Sequence, residues 1–223
     1  MVYTVVIRLV NYREWIESLG FDREWVVQVV QSRIYSDIQS YVKDFNGFVL
    51  PLRYDVQVAI LPRSIPINDV VKGLEGLLRK FPQINAKVDS YCGLPHEVLI
   101  NGLNVSDCTS TEVCVAHIDL NNFTLRSVSE GYYRPYVEVL NIVTTLARRF
   151  MGKAVLQYLG GDNLVVVTSL KYLDEVIKES VDSDVKVGVG ISEIPRKAVE
   201  LAAKALSILR SEGRNSKYLI LRV

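Results

Sequence analysis

Short apolar blocks alternate along the chain with longer amphipathic stretches, and the whole order occurs twice. Tyr3 to Val10 is an apolar block of strand type. From about Asp22 to Lys43, apolar side chains return every three or four positions, the spacing of one buried helical face. Phe48 to Leu52 and Val56 to Leu61 read as strands around Arg53, Tyr54 and Asp55. Asn68 then caps a helix running to about Lys80, and Ala86 to Tyr91 forms a further strand. The second half predicts strand Val113 to Ile118, helix Tyr132 to Phe150, strands Ala154 to Leu159 and Leu164 to Thr168, and helix Leu170 to Ser180. It closes with strand Val185 to Gly190, helix Pro195 to Ser211 and strand Lys217 to Val223.

The order βαββαβ, with later additions, is the ferredoxin-like or palm pattern. The expected fold is therefore α+β: two tandem ferredoxin-like domains, with antiparallel sheets and helices packed on one face. The N-terminal copy spans residues 1–106 and the C-terminal copy residues 113–223, separated by the Ser/Thr-rich stretch from Asp107 to Glu112. Setting Val10 against Asp119 gives an offset of 109, and Asp55 against Asp162 one of 107. On that alignment the first copy carries Val10 where the second carries an acid. It is also truncated, with only Gly93 to Gly102 where the second copy has the helix from Pro195.

Charge narrows the classes. Twenty-six basic against twenty-five acidic side chains leave a net charge of +1, so no broad footprint for nucleic acid is expected and any anion site must be local. The longest apolar runs are far shorter than the ~20 residues of a membrane helix, and no signal-peptide pattern opens the chain, so no membrane partner is expected and the predicted location is the cytoplasm. Cys92, Cys108 and Cys114 form no CxxC pair, which predicts neither a disulfide framework nor a structural zinc site.

Two segments carry the chemistry. Ala116-His117-Ile118-Asp119-Leu120-Asn121-Asn122-Phe123 and Tyr158-Leu159-Gly160-Gly161-Asp162-Asn163 each place an acid where a strand ends, and the palm order brings those ends onto adjacent strands. Two carboxylates about 4 Å apart repel by ~1 kcal/mol in water and ~4 kcal/mol at an effective dielectric of 20. Mg2+ relieves that repulsion, since it binds through one or two carboxylates and completes its shell with water and phosphate oxygens. A pair of such ions can activate an attacking oxygen and stabilise a leaving one. Gly160 and Gly161 permit positive φ and close backbone approach, while the N–H groups of Asn121, Asn122 and Phe123 can form an anion nest.

These DxxxF and GGDN segments resemble the nucleotidyl cyclase palm superfamily, which includes the diguanylate cyclases. The likeness continues through Val187 to Ser192, Leu201 to Leu206 and Gly213-Arg214-Asn215. The resemblance implies metal binding by Asp119, the Leu120 carbonyl and Asp162, with Arg210 on the closing helix against a triphosphate. One departure is Thr124, where the cyclases carry lysine. Asn11-Tyr12 with Trp15, Gln31 to Ile38, Arg53-Tyr54-Asp55 and Ala116 to Asp119 together resemble the archaeal GTP cyclohydrolase III family over nearly the whole chain. That resemblance implies a Mg2+-dependent hydrolase with two metal ions, a monovalent cation as activator, GTP as substrate and a homo-oligomeric dimer or tetramer. The implied reaction opens the guanine imidazole ring, keeps the formyl group and releases two orthophosphates. The alternatives are a cyclase-like enzyme releasing pyrophosphate, and a catalytically silent nucleotide-binding protein.

Five further residues have competing readings. His117 shares a strand face with Asp119 and is either a proton shuttle or a histidine bonded within the sheet; His96, after Pro95, is expected at the surface. Arg33 forms a surface i,i+4 pair with Asp37 on spacing alone, and the family resemblance turns it toward the nucleotide. Tyr132, Tyr133 and Tyr136 are candidates either for stacking on a base or for packing.

Overall fold

The computed structural model describes residues 2–100, 110–181, 185–211 and 216–223. The expected boundary from Asp107 to Thr109, with Cys108, and the Gly213-Arg214-Asn215 motif lie outside the described residues. In the first half, β1 (Val2–Leu9), β2 (Phe48–Arg53), β3 (Val56–Pro62) and β4 (Ala86–Cys92) form a sheet in the order β2-β3-β1-β4, every neighbour antiparallel. In the second half, β5 (Val113–Leu120), β6 (Ala154–Gly160), β7 (Asn163–Thr168) and β8 (Val185–Ser192) repeat that order as β6-β7-β5-β8, and β9 (Tyr218–Arg222) adds a parallel edge strand against β8.

Helices α1 (Tyr12–Ser18), α2 (Glu24–Lys43), α3 (Ile67–Leu78) and α4 (Pro95–Ile100) belong to the first half. Helices α5 (Phe123–Glu130), α6 (Tyr133–Arg149), α7 (Leu173–Ser180) and α8 (Pro195–Ser211) belong to the second, with a short 3-10 turn at Leu170–Tyr172. The strong apolar stripes of α2 and α3 bury Val27, Ile34, Ile38, Val42, Val70, Leu74 and Leu78 against Val5, Ile7 and Leu9 of β1. Asn68 is not the cap of α3; the helix begins at Ile67 after Pro66, whose fixed φ leads the chain into the first turn. Helices α1 and α5 were not foreseen, because at seven and eight residues they depend on tertiary anchors such as buried Trp15 rather than on periodicity.

Alternation along β5 divides the second half into two layers. Cys114, Ala116, Ile118 and Leu120 face a core formed with α6 and α7. Val113 and Val115 face the other side, where they join Val165, Val167, Ala198 and Ala202 with Val2, Leu50, Ile60 and Leu94 of the first half in one shared core. Helix α8 thus covers the face of the second sheet that also meets the first sheet. His117 and Asp119 point to that same side of β5, toward the C-terminal end of α8.

His96 is only 3% exposed on α4, because α4 docks against β6 and β7 of the second sheet and its ring meets Tyr172 edge-on at 5.8 Å. Cys92 is disulfide-bonded, so the absence of CxxC spacing did not exclude a bridge; Cys114 is a free buried thiol, pushed up to about 12 by burial and then by Glu112.

The repeat also carries a register that the motifs conceal. The hairpin turns correspond through Arg53 paired with Val56 and Gly160 paired with Asn163. Val56 pairs with Arg8 on β1, whereas the β5–β7 ladder, one step beyond Ile118 and Leu164, sets Asn163 opposite Asp119. Strands β1 and β5 are both eight residues long, and laying one on the other gives the same match. The first-copy counterpart of Asp119 is therefore Arg8, not Val10, because backbone pairing, not motif likeness, sets the correspondence.

Candidate active site

Asp119 ends β5 and Asp162 sits in the two-residue turn joining β6 to β7. Positive φ at Gly160 and Gly161 lets that turn close tightly beside β5. The two carboxylates come within hydrogen-bonding reach of each other, and Asp162 is raised above its ordinary carboxylate range, first by burial and then by the charge of Asp119. Asp119 is 4% exposed. A buried acid beside a half-buried one attracts a cation, because away from bulk water like charges cannot share a site unrelieved.

Arg210, at the end of α8, supplies positive charge now. Its guanidinium grips Asp119 with two donors, Nε to Oδ2 at 3.0 Å and Nη2 to Oδ1. Half of the Arg210 side chain remains exposed, so it can leave that carboxylate without repacking a core. Arg210 was expected to face a phosphate chain; its resting partner is the acid itself.

His117 and Asn163 extend the constellation. His117 Nε2 lies 3.1 Å from Asn163 Oδ1, and Asn163 Nδ2 donates to Asp162 Oδ1 at 3.1 Å. Since the amide oxygen can only accept, Nε2 carries the imidazole proton. Burial lowers His117 most, while the bond to Asn163 and the charge of Asp119 pull the other way. The histidine is thus bonded within the sheet, as the plainer expectation held, but its partner links it to the hairpin acid. Asn163 is the residue whose part motif reading understated.

Beyond Asp119, the chain passes through Leu120, Asn121 and Asn122 into α5. Asn122 adopts the left-handed conformation, with φ of 57°, and its carbonyl accepts the Arg126 N–H at 2.9 Å. Phe123 packs on the core beneath the second sheet. The free N–H groups at the start of this eight-residue helix form a positive pole beside the acids. Next to Leu120, a cavity of about 310 Å³ lies between α6 and α7, lined in part by Arg126 of α5, by Glu138, Ile142 and Leu146 of α6 and by Glu179 of α7.

Other expected residues lie elsewhere. Arg33 is exposed on α2 of the first copy and lines no part of the cavity beside Leu120. Tyr132, Tyr133 and Tyr136 are exposed, and Tyr136 lies near Tyr158 of the hairpin. Among the described residues no three His, Cys, Asp or Glu side chains converge as a metal cluster. The donor set at Asp119, Leu120 and Asp162 is all oxygen, which suits a hard cation that draws its remaining ligands from water and phosphate.

The chain matches the family described as GTP cyclohydrolase III over residues 1–94 and 95–222. A relative named GTP cyclohydrolase III from Aeropyrum pernix is 35% identical over 235 residues, covering 95% of this chain and 93% of its own. Another of that name, from Saccharolobus solfataricus, is 31% identical over 219 residues, covering 93% and 94%. With both halves matched and relatives of this identity spanning nearly the full length, the chain belongs to the GTP cyclohydrolase III family.

Proposed function

We propose that the protein hydrolyses GTP, opening the imidazole ring of guanine while retaining the formyl group, to yield 2-amino-5-formylamino-6-(5-phosphoribosylamino)pyrimidin-4(3H)-one and two orthophosphates. The observation that carries this reading is the pairing of Asp119 with Asp162 on adjacent strand ends, beside a releasable arginine. The relatives' name supplies the substrate.

Asp119, the Leu120 carbonyl and Asp162 would hold Mg2+, which when bound supplies Lewis-acid activation at the phosphates and at water. The raised Asp162 fits this assignment, because a carboxylate disfavoured in its charged form regains stability when a cation arrives. The chain's own residues do the positioning. Arg210 passes from Asp119 to the phosphate tail, where a planar guanidinium forms paired bonds to oxygen. The N–H groups of Asn121, Asn122 and Phe123 orient the same tail, and Gly160 and Gly161 leave room for it beside the turn. His117 holds Asn163, and Asn163 holds Asp162 in its working orientation.

The cavity next to Leu120 is suited to the purine. Glu138, whose carboxylate Arg126 holds at rest, would offer acceptors for the N1–H and amino donors that distinguish guanine from adenine once that arginine swings aside, and Ile142 and Leu146 supply apolar walls. A monovalent activator, homo-oligomeric assembly and a cytoplasmic site of action belong to this reading as proposals; no helix among the described residues is long and apolar enough to cross a membrane.

The test is direct. Incubated with GTP and Mg2+, the protein is expected to release orthophosphate while the purine ultraviolet absorbance changes. Asp119→Asn and Asp162→Asn should each lower both signals by at least about a hundredfold, since each removes a charged ligand from the site. Release of pyrophosphate with an intact purine spectrum would overturn the reading in favour of a cyclase-like enzyme.

A further inference from the structure

The first copy keeps the place of the active site but reverses its charge. With β1 laid on β5 and the two hairpins matched, Arg8 stands at Asp119, Arg13 at Thr124 and Arg53 at Gly160, while Asp55 alone keeps the acid of Asp162. Between the end of β1, helix α1 and the tip of the β2–β3 hairpin lies a cavity of about 470 Å³. Arg13, Arg23 and Arg53 line it, with Tyr12 and the two acids Glu17 and Asp55.

A second carboxylate is what a divalent ion would need, and here Arg8 stands in its place, bound to Asp89 at 2.7 Å. The remaining acid is already engaged: Arg53 grips Asp55 with two donors, and that contact holds the Asp55 carboxyl below its ordinary range. Arg13 Nε donates to Glu17 at 2.8 Å. Both arginine side chains are mostly exposed, at 86% and 73%, so each guanidinium can turn from its acid toward an incoming anion of several charges, at little cost for the solvated Arg13–Glu17 pair and at more for Arg53, whose partner Asp55 is only 19% exposed. Arg23 pairs with Glu24 at 3.7 Å.

We propose that this cavity is a second, metal-independent site for a phosphate-chain anion, either the tail of a free nucleotide or an inorganic polyphosphate. Three guanidinium groups around one cavity provide paired donors for phosphate oxygens without a bridging cation. The site is separate from the Asp119 centre, so it stands or falls independently of the catalytic reading.

The experiment uses the full chain carrying Asp119→Asn and Asp162→Asn, in excess chelator, titrated with inorganic tripolyphosphate. Calorimetry measures binding, and Trp15 reports it locally, being buried in α1 with its ring 5.6 Å from that of Tyr12 on the cavity wall. Saturable binding is expected, weakened at least about tenfold by Arg13→Glu with Arg53→Glu, largely retained by the two lysine substitutions, and unaffected by Arg210→Glu. Arg13 and Arg53 are exposed, so each variant is expected to fold, and circular dichroism of each checks that it does. A parallel titration with GTP separates the sources: tighter GTP binding identifies a nucleotide tail, and equal or weaker binding identifies the inorganic anion. Absence of saturable binding, a requirement for Mg2+, or loss with Arg210→Glu but not with the Arg13 and Arg53 pair would overturn the proposal.

Discussion

At Asp162 a single side chain answers to three others. Burial and Asp119 push it toward the neutral acid, while Asn163 Nδ2 donates to it and is itself fixed by His117. Asn163→Ala should therefore act through Asp162, leaving the acid in place with nothing to aim it. The expected result is a drop in kcat of roughly tenfold with a Mg2+ saturation curve moved to higher concentration, measured by orthophosphate release. Asn163→Asp would leave His117 bonded but bring a new negative charge beside Asp162, so a similar loss there with Mg2+ affinity retained would argue against a purely orienting part. The two acids were legible as residues because strand ends and a glycine turn mark them. The hold of Arg210 on Asp119 was not, since ninety-one positions separate them and only the docking of α8 brings them together.

Among the elements, β8 and α8 meet unusually closely, and two glycines are the reason. A Cβ on Gly190 would collide with the carbonyl of Ala198 and the N–H of Ala202, and one on Gly188 with the carbonyl of Ala202 and the N–H of Leu206. These neighbours are helix backbone, which cannot turn aside as a side chain would. Gly190→Ala should then cost about 3 kcal/mol, the upper end of ordinary overpacking, and lower the melting temperature by about 6–12 °C in calorimetry. The displaced α8 would carry Arg210 with it, so activity should fall before stability fails. Pro195 to Ser211 was read from sequence to the residue because its apolar stripe is continuous over 17 positions. Helices α1 and α5 were not, since two turns give too little period, and the β1–β5 correspondence went astray by two residues because motif likeness does not report which backbone groups pair.

On the scale of the whole molecule, the two sheets are joined by a core that neither half completes alone, with Val2, Leu50 and Ile60 meeting Val113, Val115 and Val167. His96 lies in the same joint, carried by α4 of the first half onto the second sheet and Tyr172. Its burial escaped sequence reading because Gly93 and Pro95 mark a turn, while the surface that covers the ring belongs to residues far along the chain. Among the described residues neither ring nitrogen has a hydrogen-bond partner. Burial lowers the His96 pKa most, Glu97 opposes that shift, and Lys171 adds to it. The unfolded chain therefore takes up a proton near pH 6.5 that the folded protein refuses. The associated stability is complete above that pH and is lost as the pH falls toward the lower folded value, by at most about 1.4 kcal/mol per pH unit for one proton. His96→Phe keeps an aromatic ring against Tyr172 and removes the titration. Urea midpoints followed from pH 7.5 to 5.0 should decline less steeply in this variant than in the parent, with the remaining slope owed partly to His117, which is also lowered first by burial. Identical slopes would mean that His96 is already protonated or solvated in the folded protein, and that the joint between the sheets opens more readily than its packing implies.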